Sequence, residues 1–62
     1  MTNLEHEIQA IAEQYQLGNI SQQERDSLLT EIKDIRIAYE YANHEETARY
    51  LVRACNIAMG IL

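Results

Sequence analysis

Glu40 and His44 stand four residues apart with Glu45 beside them, a spacing that on a helix turns two metal-ligating side chains to one face. A metal site needs three or four converging ligands, and the only other histidine, His6, lies near the opposite end of the sequence. No metal or cofactor is therefore expected, and Glu40 and His44 read as a surface pair adding about 0.3 kcal/mol to a helix. Nucleophilic catalysis would require a Ser or Cys with a His base and an acid to orient it. Ser21 is accounted for as a helix cap, Ser27 is isolated, and Cys55 has no histidine within helical reach. There is also no glycine-rich phosphate loop and no HEXXH zinc pair. The sequence thus predicts no catalytic residue, and the protein reads as a non-enzyme.

Cys55 is the single cysteine, so an internal disulfide cannot form, and its apolar neighbours mark it as a small buried hydrophobe in a reducing compartment. Only Arg53 is placed to activate it as a thiolate. The net charge of -5 disfavours nucleic-acid phosphate, which calls for a clustered basic surface. Every charged residue before Arg25 (Glu5, Glu7, Glu13, Glu24) is acidic, which implies either a solvated helix face or an acidic surface offered to a basic partner, as in nucleic-acid mimicry.

With 62 residues the chain has room for one domain, 1–62, and at that size folding buries only about 60% of the unfolded surface. The absence of proline, with only Gly18 and Gly60 as glycines, favours helix throughout and predicts no strands. No basic, apolar leader opens the sequence. The apolar run near the C terminus is interrupted by Arg53 and Asn56 and is shorter than the ~20 residues that cross a bilayer. A cytoplasmic protein that does not engage membranes is expected.

Thr2-Asn3-Leu4-Glu5 has the form of a capping box, so helix 1 should span about 3–17. Leu4, Ile8, Ile11 and Tyr15 form its apolar stripe, and Gly18 is placed to end it in the left-handed conformation. Ser21 and Glu24 make a second capping box, and so short a connection folds helix 2, about 22–42, back on helix 1 as an αα-hairpin. Leu28, Leu29, Ile32, Ile35, Tyr39 and Ala42 are the stripe expected to meet it.

The run from Tyr15 through Gly18-Asn19-Ile20-Ser21-Gln22-Gln23-Glu24 to Leu28-Leu29 resembles the short helical hairpins called SHOCT domains, with their Gly-x-Ile-Ser/Thr-x-x-Glu turn. The resemblance spans about residues 4–35, and Arg25 stands where that family often carries an aromatic. It implies a small module for oligomerisation or protein contact. Compact acidic helical chains of this kind also resemble accessory proteins encoded by bacteriophages.

A second stripe, Ile37, Tyr41, His44, Ala48, Leu51, Cys55, Ala58 and Leu62, keeps a heptad-like spacing past Asn43. Two architectures follow. In a three-helix bundle, Asn43 caps a third helix of about 44–60, with Glu45 and Glu46 against its dipole. Alternatively, one long second helix pairs its C-terminal half with another chain. The bundle is the expected all-α fold.

From Ala48 onward the apolar residues surround the helix axis, leaving Arg49, Arg53, Asn56 and Gly60 as a narrow polar strip. A helix apolar nearly all round requires more cover than two short neighbours supply. The predicted partner surface is therefore Tyr41, Tyr50, Val52, Ile57, Met59 and Ile61, whereas Tyr15 and Tyr39 match the core stripes. Three functions follow, the first favoured: a protein-association module acting through helix 3, binding a second copy as a homodimer or a larger protein; an acidic regulator of a basic partner; and a small helix-turn-helix DNA binder, opposed by the charge.

Overall fold

A computed structural model describes residues 2–61 and shows an all-helical three-helix bundle. The first helix, α1, is Asn3–Gln16. The second is composite: α2 (Gln22–Glu31), a π-helical turn (Ile32–Arg36) and one further α-helical turn, α3 (Ile37–Glu40). The last, α4, is Glu45–Ala58. Their path is up, down, up, within 35 × 19 × 19 Å.

Both predicted capping boxes form. The Thr2 hydroxyl accepts from the Glu5 amide at 3.0 Å while the Glu5 carboxylate accepts from the Thr2 amide at 3.2 Å; Ser21 and Glu24 repeat the exchange at 3.1 and 3.0 Å. After α1, Gly18 has φ +77°, and the amides of Gly18 and Asn19 donate back to the carbonyls of Tyr15 and Gln14. This is a Schellman closure, which favours glycine because a side chain is strained at that φ. Gly60 repeats it after α4 at φ +80°, with Ile61 donating to Asn56.

The third helix starts differently from expectation. Its N-cap is His44 rather than Asn43, and no side chain caps it; the His44 ring instead packs edge-on to Tyr41, with centroids 6.2 Å apart. The chain reverses in the turn after Glu40, which excludes a long continuous second helix.

The π turn reconciles the two apolar stripes. In a continuous α-helix, Ile35 and Tyr39 would follow Ile32 inward. Here the Ile37 amide bonds to the Ile32 carbonyl, one residue further than an α-helical bond, and the inward set becomes Arg25, Leu29, Ile32, Ile37 and Tyr41. Ile37 is 2% exposed, whereas Ile35 is 60% and Tyr39 86% exposed. The expected stripe is thus corrected at Ile35, Tyr39 and Ala42, all on the surface; Leu28, before the π turn, is also exposed, because it lies at the open groove beside α1 while Leu29 takes the core position. The core is Leu4, Ile8, Leu29, Ile32, Ile37, Leu51 and Cys55, with Ile11, Ala48 and Ala58 packed against it. Leu62, the last member of the second stripe, lies outside the described residues.

Arg25 closes the bundle at one end. Its buried guanidinium lies 4.3 Å from the Tyr15 ring centroid, donates to Asp26 at 2.9 Å and donates to the Met59 carbonyl at 3.1 Å. The end of α1, the start of α2 and the end of α4 therefore meet at one cation, which also complements the negative end of the α4 dipole.

Two outcomes test this packing. Ile37→Ala should lower stability by about 2 to 5 kcal/mol in urea denaturation while Ile35→Ala stays within about 0.5 kcal/mol; equal effects would refute the π-turn phase shift. Arg25→Ala should cost about 2 to 3 kcal/mol, because it removes a charged hydrogen bond to a helix-end carbonyl and the packing of the arginine stem. An unchanged denaturation midpoint would contradict that role.

Candidate association surface

The bundle decides which part of α4 is left uncovered. Lys33 donates to Asn56 at 3.1 Å and the Thr30 hydroxyl contacts the Met59 sulfur at 3.9 Å, so that flank of α4 faces the second helix. On the other flank the Tyr50 hydroxyl donates to a Glu5 carboxylate oxygen at 2.7 Å, tying the start of α4 to the start of α1. Since Arg25 joins the ends of the same two helices, α1 and α4 run parallel.

Of the six residues predicted as a partner surface, three are brought together and exposed. Tyr50 and Ile57, 56 and 60% exposed, stand seven residues apart on one stripe of α4 with half-buried Ala54 between them, and Ile61, 53% exposed, follows the Gly60 turn just beyond the helix. Tyr41, Val52 and Met59 are instead half-buried and pack against the core. Their assignment as a free surface is corrected: the second helix covers the flank that bears Val52 and Met59, and the π turn directs Tyr41 inward. Tyr39, read as core, is on the surface, and Tyr15 is half-buried beneath Arg25.

Several polar groups of the bundle surface are held in place by hydrogen bonds or ion pairs. The Tyr50 hydroxyl and the Thr2 amide together lower the Glu5 carboxyl below its ordinary range, and the same Glu5 contact raises the Tyr50 phenol. Glu24 is lowered likewise by its Ser21 capping bonds. Arg36 bridges Glu40 and Glu7, both at 2.8 Å, across the groove between α1 and the second helix. That groove holds about 320 Å³ over Ala10, Ile11, Leu28 and Ile32, a second place where apolar surface meets solvent.

The groups weighed for chemistry are dispersed or occupied. Cys55 is buried in the core, and desolvation raises its thiol, opposed by the charge of Lys33 rather than of Arg53. Ser21 is engaged in its cap, and the Glu40 carboxylate is bound to Arg36. Among the described residues, no three His, Cys, Asp or Glu side chains converge to hold a metal ion. Nor is any described helix long and apolar enough to cross a membrane.

Two features of the site escape sequence reasoning to different degrees. The Tyr50–Glu5 bond joins residues 45 apart and carries no local signal. Gly60, placed by its spacing on the polar strip of the helix, instead lies just beyond it with φ +80°, and that it turns Ile61 back toward α4 emerges only from the folded backbone. In comparison with known proteins, no protein family, curated protein or solved structure matches the chain.

The Tyr50–Glu5 contact stabilises the fold between two limits. The Glu5 contribution is present above the ordinary glutamate range and lost as pH falls through its lowered value; the Tyr50 contribution is present below the ordinary phenol range and lost as pH rises through its raised value. Tyr50→Phe should therefore shift the Glu5 carboxyl titration upward, as followed by NMR. An unmoved Glu5 titration would show that the bond does not form in solution.

Proposed function

We propose that this protein is a non-enzymatic protein-association module acting through the outer face of α4. The observation that carries this reading is the exposed apolar group of Tyr50 and Ile57 on α4 and Ile61 just after it, with Leu51 and Cys55 of the same helix in the core behind. Exposed neighbouring apolar side chains on one rigid helix are the usual mark of a contact surface. The SHOCT-like turn of residues 4–35 points to the same kind of function. A cytoplasmic accessory role, of the kind phage-encoded proteins fill, fits this reading.

A second reading is an acidic regulator of a basic partner. Six of the ten carboxylates take part in ion pairs, caps or the Tyr50 bond; Glu13, Glu31, Asp34 and Glu46 do none of these among the described residues. Salt separates the two readings, since acidic docking weakens as the screening length falls to about 3 Å at 1 M, whereas apolar association persists. The helix-turn-helix reading is opposed by the use of the cations, with Arg25 buried and Arg36 and Arg49 paired with carboxylates.

Size exclusion with light scattering at micromolar concentration, on the protein alone and after exposure to host extract, tests the association reading. Ile57→Glu should abolish association and Ile35→Glu, equally exposed on another helix, should leave it intact. A wild-type monomer that retains no partner, or association indifferent to Ile57→Glu, would overturn the proposal.

A further inference from the structure

We infer that two copies of this chain exchange α4 by straightening the turn between Glu40 and Glu45, so that each second helix runs on into α4 and delivers it to the α1 and second helix of the other copy. The two turns of the bundle are built differently. In the first, Gly18 reverses the chain at φ +77° and the Ser21–Glu24 capping box starts the next helix. The second, Tyr41-Ala42-Asn43-His44, has neither glycine nor proline, no residue at positive φ and no side-chain cap. Tyr41 (φ -123°, ψ 31°) and His44 (φ -127°, ψ 68°) leave the helical region there, yet all four residue types are tolerated inside helices. Straightened, the turn would let the amides of Glu45, Glu46 and Thr47, which no side chain caps, donate to the carbonyls of Tyr41, Ala42 and Asn43. Within one chain the reversal after Glu40 excludes that helix. Two chains permit it.

The apolar spacing across the turn is what the exchanged form requires and the closed form does not. In the closed bundle a non-helical turn separates the second helix from α4, so their inward faces are free to stand at any phase. In two long helices lying antiparallel across a two-fold axis, each meets the same neighbour along its whole length, and the inward residues before and after the turn must share one stripe. They do: Ile37, Tyr41, His44, Ala48, Leu51 and Cys55 alternate spacings of four and three through the turn, and all but His44 are buried in the core or packed against it. Lys33 faces Asn56 and Thr30 faces Met59. Counting equally inward from either pair meets between His44 and Glu45, which sets the axis at the turn. The carboxylates nearest that axis are already paired, Glu45 with Arg49 and Glu40 with Arg36. The ties that α4 makes now, from Lys33 to Asn56, from Arg25 to the Met59 carbonyl and from Tyr50 to Glu5, are remade between copies. Exchange of an identical element therefore needs no new surface, and it closes at two copies.

Exchange leaves the outer face of α4 exposed, so it is independent of association through that face, and Ile57→Glu should leave it intact. Size exclusion with light scattering, after refolding at micromolar and at millimolar concentration, tests it, since α4 must undock before it can be exchanged. Wild type refolded at millimolar concentration should yield dimer. Asn43→Ala should dimerise about tenfold more tightly, because each of the two long helices gains a better helix former. Gly-Ser-Gly inserted between Asn43 and His44 should leave only monomer, because a longer flexible turn favours closure, and circular dichroism would verify that this variant folds. In wild-type dimer refolded from a mixture of isotope-labelled and unlabelled chains, filtered NMR should find Glu5 of one copy beside Tyr50 of the other; were the insertion variant unfolded, this contact decides alone. A dimer that keeps the contact within each chain, a dimer indifferent to the insertion, or monomer from both wild type and Asn43→Ala at millimolar concentration would overturn the inference. If a dimer of the first kind is dissolved by Ile57→Glu, the association reading stands while the exchange does not.

Discussion

One extra residue in the turn between Ile32 and Ile37 sets what this protein can bury. Before that turn the second helix directs Arg25, Leu29 and Ile32 inward, and after it Ile37 and Tyr41. An uninterrupted α-helix would carry Ile35 and Tyr39 inward after Ile32 and turn Ile37 away from the core. The π turn lengthens one backbone hydrogen-bonded ring and in exchange brings two out-of-phase apolar stripes into one seam. It also sends its two cations to opposite neighbours, Lys33 to Asn56 of α4 and Arg36 to Glu7 of α1. The same local adjustment therefore orients the second helix against both of its partners.

Around that seam, polar groups supply ties that the small core cannot. Seven residues form the buried apolar cluster, little for a bundle at the size where burial is marginal. Arg25 adds a cation–π contact and a helix-end hydrogen bond at one pole. Tyr50 and Glu5 join the helix starts at the other, and the Glu5 carboxylate serves both this bond and the α1 cap. Every buried side-chain polar atom described has a partner, so these ties border the core without leaving unsatisfied groups within it.

The surface proposed for association is a consequence of the same geometry. α4 carries more apolar residues than two neighbouring helices can cover. The rotation of α4 that buries Leu51 and Cys55 also places Val52 and Met59 against the second helix, and it leaves Tyr50, Ile57 and Ile61 outside. Tyr50 is held by its hydroxyl, so its ring is presented with little orientational freedom left to lose on contact.

Local signals in the chain were enough to determine the all-helical class and the bounds of the hairpin turn. Thr2 with Glu5 and Ser21 with Glu24 mark two starts, Gly18 marks a stop, and the spacing of Leu4, Ile8, Leu51 and Cys55 marks inward faces; each depends on residues within a few turns of one another. The all-α bundle and the excess apolar surface of α4 followed from those patterns. Three decisions were left to tertiary structure: the π turn, the burial of Arg25 and the choice of exposed residues on α4. The periodicity around residue 35 supports two phases equally, and only packing against α1 and α4 selects between them. Arg25 looks like any helix-surface cation until Tyr15 and the Met59 carbonyl converge on it from distant parts of the chain. On α4, sequence shows that some apolar side chains must remain outside, but which ones depends on the rotation of the helix about its own axis, and that is set by contacts between residues 23 to 45 positions apart.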